Sequence, residues 1–150
     1  MLWYDRSMSS RPSRPPIGLA LTRTSRAVST AFERAMADAG GSASTWQVLL
    51  LVRSGQWDTQ SELAQALGIT GATLTHHLNA LEQKGLVRRW REPGNRRVQQ
   101  VALTPEGEAL FHRLREVAQR HDRRLRSHLT EQETVQLGEL LEKLRAGVQD

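Results

Sequence analysis

The sequence predicts a mainly α-helical protein with one small β-hairpin, an α+β fold, on the basis of three observations. Apolar residues recur at helical spacing near both ends of the chain. In the middle, two short helical patterns with N-capping residues flank a glycine. Two strand patterns then surround a Pro-Gly turn. The expected order of elements is four helices, two strands and two helices.

The composition indicates one globular domain. The 150 residues suffice to bury a core without a metal or disulfide. The absence of cysteine excludes a disulfide framework, a thiolate nucleophile, cysteine-ligated zinc and thiol redox sensing. No apolar run reaches the roughly 18 residues of a membrane span, and the first residues lack the apolar stretch of a secretory signal. We therefore expect a cytoplasmic protein with no cofactor, no metal and no membrane partner.

Basic residues are concentrated in one segment of a chain whose net charge is +5. Within residues 70–101 the only acidic residues are Glu82 and Glu92, and the basic residues are Lys84, Arg88, Arg89, Arg91, Arg96 and Arg97. Within residues 131–150 five residues are acidic and two are basic. This asymmetry favours a surface that faces a polyanion, and an ordinary solvated face is the alternative.

The N-terminal region is predicted to be an arm followed by two helices. Residues 1–16 contain arginine, proline and serine without periodicity, which predicts a disordered arm. Met8 within it is an alternative start. Apolar residues at helical spacing predict a first helix from residue 17 to about residue 37, and a second helix begins near Ser42 or Ser44.

Two capped helices joined by a tight turn follow. Thr59 and Glu62 form a predicted capping box, in which the hydroxyl and the carboxylate each accept from a free backbone amide. This helix ends at Gly68, a residue suited to a positive φ, and Thr70 offers a new N-cap two residues later. Two short helices around a turn containing glycine make a helix-turn-helix.

The second of these helices has one apolar and one small polar face. The apolar face holds Leu74, Leu78 and Leu81. The opposite face holds small or hydrogen-bonding side chains, namely Ala72, Thr73, Thr75, His76 and Asn79. Such side chains are typical of a helix that enters the major groove of DNA, because its backbone must come close to the base edges.

A β-hairpin and two further helices complete the chain. Predicted strands at residues 86–91 and 97–103 surround a turn at residues 92–95 that is flanked by arginines. Thr104 then caps a long helix with Pro105 at its first position. The apolar stripe of this helix is Leu110, Leu114, Val117 and Leu125. Thr130 and Glu133 form a second capping box that opens the last helix.

Four segments carry linked motifs, and they read SELAQALGIT at 61–70, LEQKGLV at 81–87, NRR at 95–97 and LTPEG at 103–107. Together they resemble the MarR family of bacterial and archaeal regulators, over roughly residues 42–110. The resemblance implies a winged helix-turn-helix DNA-binding lobe at residues 42–103. It also implies a dimerisation helix at residues 17–41, and a long helix plus a C-terminal dimerisation helix at residues 104–150. An intramolecular bundle is the alternative use of the apolar stripes of these flanking helices.

The resemblance further implies which residues contact DNA. They are Ser61, Thr70, Ala72, Thr73, Thr75, His76, Asn79, Arg91, Asn95, Arg96 and Arg97. His76 stands where the family often has arginine, and a neutral imidazole cannot make the bidentate contact of arginine with guanine. Arg97 is expected in the minor groove. Asn95 and Asn79 stand where the family often has aspartate, so we expect altered orientation of Arg97 and stronger nonspecific DNA binding with a steeper salt dependence.

The function that the resemblance implies is sequence-specific regulation of transcription. We expect a ligand-responsive repressor that binds double-stranded DNA as a homodimer on a pseudo-palindromic operator. A small aromatic or phenolic effector would bind a cleft lined by Trp46, Arg53 and Trp57, although core packing of the tryptophans and a solvated Arg53 are the simpler interpretation. The chain lacks the motifs of common enzyme classes. A winged-helix adaptor that binds protein or RNA is the alternative.

Three histidines have open interpretations. His77 lies on the side of Leu74 and Leu81, where we expect a boundary histidine with a satisfied partner, and a pH-sensitive contact is the alternative. His121 and His128 lie seven residues apart on one helix face. Helix packing explains this pair better than a zinc site, because no clustered partner ligand is evident.

Overall fold

The computed structural model describes residues 14–149 of the chain. The predicted arm therefore lies outside the described residues except for its last three, and so does Met8. The chain divides into two compact units between Ala31 and Phe32. The described part of the first unit is mostly the N-terminal part of helix α1 (Ile17–Asp38), on which Ile17, Leu19 and Leu21 are exposed.

The second unit contains the end of α1 and all other elements. These are α2 (Ala43–Ser54), α3 (Gln60–Leu67), α4 (Gly71–Gln83), β1 (Val87–Glu92), β2 (Asn95–Leu103), α5 (Pro105–Arg126) and α6 (Glu131–Ala146). The predicted fold class and order of elements are confirmed.

Local capping chemistry explains where the helices begin. Five helices start after a Ser or Thr whose hydroxyl accepts from the amide three residues later, and these N-caps are Ser42, Thr59, Thr70, Thr104 and Thr130. The predicted box at Thr130 and Glu133 is complete, with both bonds present. The box at Thr59 differs in one bond, because the Glu62 carboxylate accepts from the amide of Asp58 at 2.9 Å instead of the Thr59 amide.

The core of the second unit lies where α2, α3, α4, β1 and α5 meet. The predicted apolar face of α4 is confirmed, since Leu74, Leu78 and Leu81 are all buried. The other buried apolar residues are Met36, Val48, Leu49, Leu63, Ala64, Val87, Leu110, Phe111 and Leu114. This packing fixes α3 and α4 as a helix-turn-helix around Gly68, whose φ of 69° explains the glycine in the turn.

The hairpin has a shorter turn than predicted, and its register contains an irregularity that the sequence did not predict. Its strands are joined by Pro93 and Gly94 alone, and residues 92 and 95, predicted as turn, form a strand pair. The next pair joins Arg91 to Gln99, so residues 96–98 on β2 have no opposite partner and form a bulge. Cross-strand register decides this arrangement, and turn composition alone does not specify it.

Part of the apolar pattern in the C-terminal helices is not buried. The predicted stripe of α5 holds for Leu110 and Leu114, but Leu125 is 44% exposed because it lies beyond the core near the end of the helix. Phe111, which the stripe omits, is buried. No residue of α6 is buried, so the interpretation of its stripe as part of an intramolecular bundle is wrong for the described chain.

Within residues 14–149 no helix is both long enough and apolar enough to span a membrane.

Candidate DNA-binding surface

Helix α4 presents a continuous small polar face to solvent. Ala72, Thr73, Thr75, His76 and Asn79 are all exposed on it, opposite the buried leucines. Thr70 and Thr73 are engaged locally, since the Thr70 hydroxyl accepts from the Thr73 amide at 3.1 Å and donates to the Thr73 hydroxyl at 2.9 Å. Ala72, Thr75 and His76 have no such local bond in the described chain and are free to meet a ligand.

The β1–β2 hairpin, here called the wing, carries two arginines on its bulge. Arg96 and Arg97 are exposed there, and the Nη1 atom of Arg91 donates to the Arg96 carbonyl at 2.7 Å. This bond ties the bulge to the opposite strand. It supplies an attachment that does not depend on a carboxylate at position 95, where this chain has Asn95.

A cleft of about 320 Å³ lies between the wing and the start of α3. Ser61 lines it from the helix, and Arg91 and Arg97 line it from the strands. A hydroxyl at a helix start and two arginines that line the same cleft suit an anion such as a backbone phosphate. The structure thus brings Ser61 of α3 next to Arg91 and Arg97 of the wing, and α4 contacts both α3 and β1.

The Arg88 side chain belongs to a separate cluster on the hairpin. Its guanidinium carbon lies 4.6 Å from the centroid of the Trp90 ring. The Trp90 indole in turn donates to Glu92 at 3.1 Å. Arg88 therefore contributes charge to the hairpin without belonging to the bulge.

The side chain of Arg89 is paired in a way that the sequence did not predict. Its side chain is only 13% exposed, and its Nε donates to Glu82 Oε2 at 3.2 Å. Its Nη2 donates to Glu82 Oε1 at 3.3 Å and also to the side-chain oxygen of Asn79. The hydrogen bond from Arg89 lowers the pKa of the Glu82 carboxyl below its ordinary value of 4.5. Arg89 follows the buried Val87 by two residues, and this alternation was the available signal that it faces inward.

We expect this ion pair to make stability depend on pH in the acid range. The pKa of Glu82 is lower in the folded state than its ordinary value of 4.5. The ionised carboxylate therefore contributes to the stability of the fold above that value, and this contribution is lost as the pH falls through the folded pKa. Thermal unfolding of wild type and Glu82→Gln between about pH 3 and pH 7 tests this. The difference in melting temperature should shrink at the acid end, and a difference that stays constant would contradict the assignment.

The three residues proposed to line an effector cleft do not share one place. Trp46 stacks on Phe111 with ring centroids 5.3 Å apart, and the Arg53 guanidinium lies 4.6 Å from the centroid of the same ring. Arg53 also donates to Glu108 at 3.0 Å. Trp57 lies instead in a groove between the end of α2, the start of α3 and β2.

The histidines occupy different environments. His77 is half-buried and His76 is exposed, with ring centroids 6.2 Å apart. His121 packs on Phe32 at a centroid distance of 5.1 Å, as the helix-packing interpretation predicts. His128 is exposed and lies beyond the end of α5 at Arg126, so the prediction that the two histidines share one helix face is wrong.

Comparisons with known proteins agree with this geometry. Residues 42–98 match the model of the MarR family. The HTH-type transcriptional regulator PecS of Dickeya dadantii (strain 3937) is 40% identical over 81 residues, which are 54% of this chain and 49% of that regulator. The match thus spans about half the length of this curated relative.

Two solved structures of DNA complexes are similar over most of the chain. The transcriptional repressor CouR, bound to a 23-mer DNA duplex, has a TM-score of 0.76 at 31% identity, covering 87% of this chain and 92% of that one. A mutant MarR from E. coli complexed with operator DNA has a TM-score of 0.75 at 26% identity, covering 86% and 93%.

The fold and the surface define a winged helix-turn-helix protein, in which α4 and the β1–β2 wing are the exposed polar elements. The sequence and structural similarities place it more narrowly. The chain belongs to the MarR family, a family of transcriptional regulators that are not enzymes.

Proposed function

We propose that this protein is a sequence-specific regulator of transcription that binds double-stranded DNA in the cytoplasm. The observation that carries the proposal is the exposed polar face of α4 beside a bulge that holds Arg96 and Arg97. An α-helix fits the major groove of DNA, and an arginine on the neighbouring wing suits the negative potential of a narrow minor groove. The DNA complexes of CouR and of mutant MarR support the same use of this fold.

In this proposal the DNA contacts divide by element. Ala72, Thr75 and His76 on α4 face base edges, and Ser61 and Thr70 at the two helix starts face phosphates. Arg91, Asn95, Arg96 and Arg97 form the contacts of the wing. Asn79 has its side-chain oxygen on Arg89, which leaves its amide group as the part that donates to DNA.

We further propose that the protein acts as a homodimer on a pseudo-palindromic site. Four leucines of α6 share one face at helical spacing and are 39–47% exposed, namely Leu137, Leu140, Leu141 and Leu144. Ile17, Leu19 and Leu21 on α1 are also exposed. A twofold dimer built on such helices would set two α4 helices about one turn of DNA apart, roughly 34 Å.

Leu140→Lys is expected to weaken the dimer at least about tenfold, because it buries an unpaired ammonium in the interface. Light scattering coupled to size-exclusion chromatography over a dilution series measures this. Glu139→Gln is the matched control, since it changes net charge by the same amount on the other side of α6 and should leave the dimer intact. Equal dimer stability in the two variants would exclude this face of α6 from the interface.

Regulation by a small aromatic or phenolic effector belongs to the same proposal. An effector that binds free protein better than DNA-bound protein must lower operator affinity by the linked amount. Trp46 and Arg53 are the favoured contacts, because both meet Phe111 and a guanidinium beside aromatic rings suits an aromatic acid. Such an effector would share Arg53 with Glu108, whose carboxylate accepts from the Nε atom of Arg53.

The proposal is tested by selection from a randomised duplex library, followed by fluorescence anisotropy with the enriched duplex and a scrambled one. Tight binding of two subunits to an inverted repeat, weakened by salt, is the expected result. The absence of any enriched sequence would refute sequence-specific binding. A preference for RNA, or binding that does not change with salt, would favour the adaptor function instead.

A further inference from the structure

Arg89 joins helix α4 to the wing through three hydrogen bonds. The residue lies on β1, and its partners Asn79 and Glu82 lie three residues apart on one face of α4. Both oxygens of the Glu82 carboxylate are used, one by Nε and one by Nη2 of the guanidinium. This bidentate geometry fixes the orientation of the guanidinium relative to the carboxylate as well as their distance, whereas a single hydrogen bond fixes only the distance.

The same bonds remove Arg89 from the set of cations available to DNA. Its side chain is 13% exposed, its guanidinium is neutralised by Glu82, and its Nη2 serves both Glu82 and Asn79. Arg96 and Arg97, by contrast, are exposed on the bulge. A cation held in this way is poorly placed to contact phosphate, although it lies within the basic segment of the sequence.

We propose that Arg89 is a positioning residue that holds α4 and the wing in one relative geometry, so that both elements can meet DNA at the same time. This inference rests on the proposed function and adds that Arg89 affects sequence selectivity and not the general attraction to DNA. Base discrimination requires α4 to be placed accurately, because hydrogen bonds to base edges weaken steeply with distance and angle. Nonspecific attraction to phosphates is far less demanding in geometry.

The test uses substitutions for which charge and geometry predict different results. Arg89→Lys keeps the charge and removes the planar fork. Glu82→Gln removes a negative charge, which favours DNA binding electrostatically, but weakens the attachment of Arg89. Arg88→Lys is the matched control, because it makes the same chemical change one residue away on a side chain that lies over Trp90.

Affinities for the selected and the scrambled duplex are measured by anisotropy at several salt concentrations. Arg89→Lys and Glu82→Gln should each reduce the ratio of the two affinities by roughly tenfold, about the loss of one base contact. Affinity for the scrambled duplex and its salt slope should stay unchanged in Arg89→Lys, and Arg88→Lys should keep the wild-type ratio. The exchange Glu82→Arg with Arg89→Glu should restore part of the selectivity, because the Asn79 amide can donate to a carboxylate at position 89.

Two results would overturn the inference while leaving the proposed function intact. One is wild-type selectivity in both Arg89→Lys and Glu82→Gln. The other is a salt slope lowered by about one per subunit in Arg89→Gln with the ratio preserved, which identifies a phosphate contact. If wild type shows no preference for any duplex, the proposed function fails and the inference fails with it. Circular dichroism melting verifies that each variant is folded, and Glu82→Gln remains informative if a change at Arg89 prevents folding.

Discussion

Gly107→Ala is expected to destabilise the fold by about 3 kcal/mol or more, the upper range for overpacking a core. Gly107 is buried in the first turn of α5, and a Cβ atom there would lie 1.9 Å from the Leu86 carbonyl oxygen. That oxygen also accepts from the Thr104 amide at 3.1 Å. Because the obstacle is the backbone carbonyl group of Leu86, no side-chain rotation can relieve the contact, and α5 must move away from the start of the wing.

Gly71→Ala is the matched control, since Gly71 also lies in the first turn of a helix and an added Cβ meets nothing within 4 Å. Its effect should stay within roughly 0.5 kcal/mol and tend towards stabilisation, because alanine restricts the unfolded chain. Urea unfolding followed by circular dichroism at one fixed protein concentration measures both variants. An unchanged midpoint for Gly107→Ala would show that the close approach of α5 to residue 86 is not required.

The elements that sequence analysis predicted well are those specified by local chemistry. Thr59, Thr70 and Thr130 mark helix starts because each hydroxyl bonds within its own first turn, and Gly68 marks a helix end by its positive φ. The buried leucines of α4 follow from helical periodicity alone. None of these features needs information from a distant part of the chain.

The features that sequence analysis missed depend on contacts between elements. The bulge at residues 96–98 follows from the pairing of two strands, so the turn composition did not show that only Pro93 and Gly94 connect them. Phe111 is buried because Trp46 of α2 stacks on it, which widens the buried face of α5 beyond one stripe. The charge count of the basic segment does not reveal the pairing of Arg89, because its partner Glu82 lies on another element, near the end of α4.

The apolar stripe of α6 shows what periodicity can and cannot decide. Its spacing predicted a helix with one apolar face, and the structure confirms the helix. Periodicity does not specify what covers that face, so a partner chain and an internal bundle were equally compatible with it. The exposure of Leu140 and its neighbours leaves the partner chain as the interpretation to test.

Arg97→Ala is expected to weaken binding to the selected duplex by about 1–3 kcal/mol, or roughly 5- to 150-fold. Arg97 is exposed on the bulge that Arg91 ties to β1, so it is free to leave the protein surface and enter a groove. A dimer loses two cations, so the slope of affinity against salt should fall by about two. Anisotropy with the selected and scrambled duplexes at several salt concentrations measures both quantities, and Arg88→Ala, which removes a cation outside the bulge, is the control.

The minor-groove role of Arg97 predicts a specific coupling between protein and DNA. Replacing A·T pairs by G·C where the wing contacts the selected site should weaken wild type, because the groove widens and loses negative potential. Arg97→Ala should be nearly indifferent to the same replacement. Equal losses for wild type and variant would place Arg97 on the phosphate backbone instead, because contacts to phosphate carry no direct sequence information. Arg97 on the bulge would then bind phosphates of the DNA backbone and would not distinguish narrow from wide minor grooves.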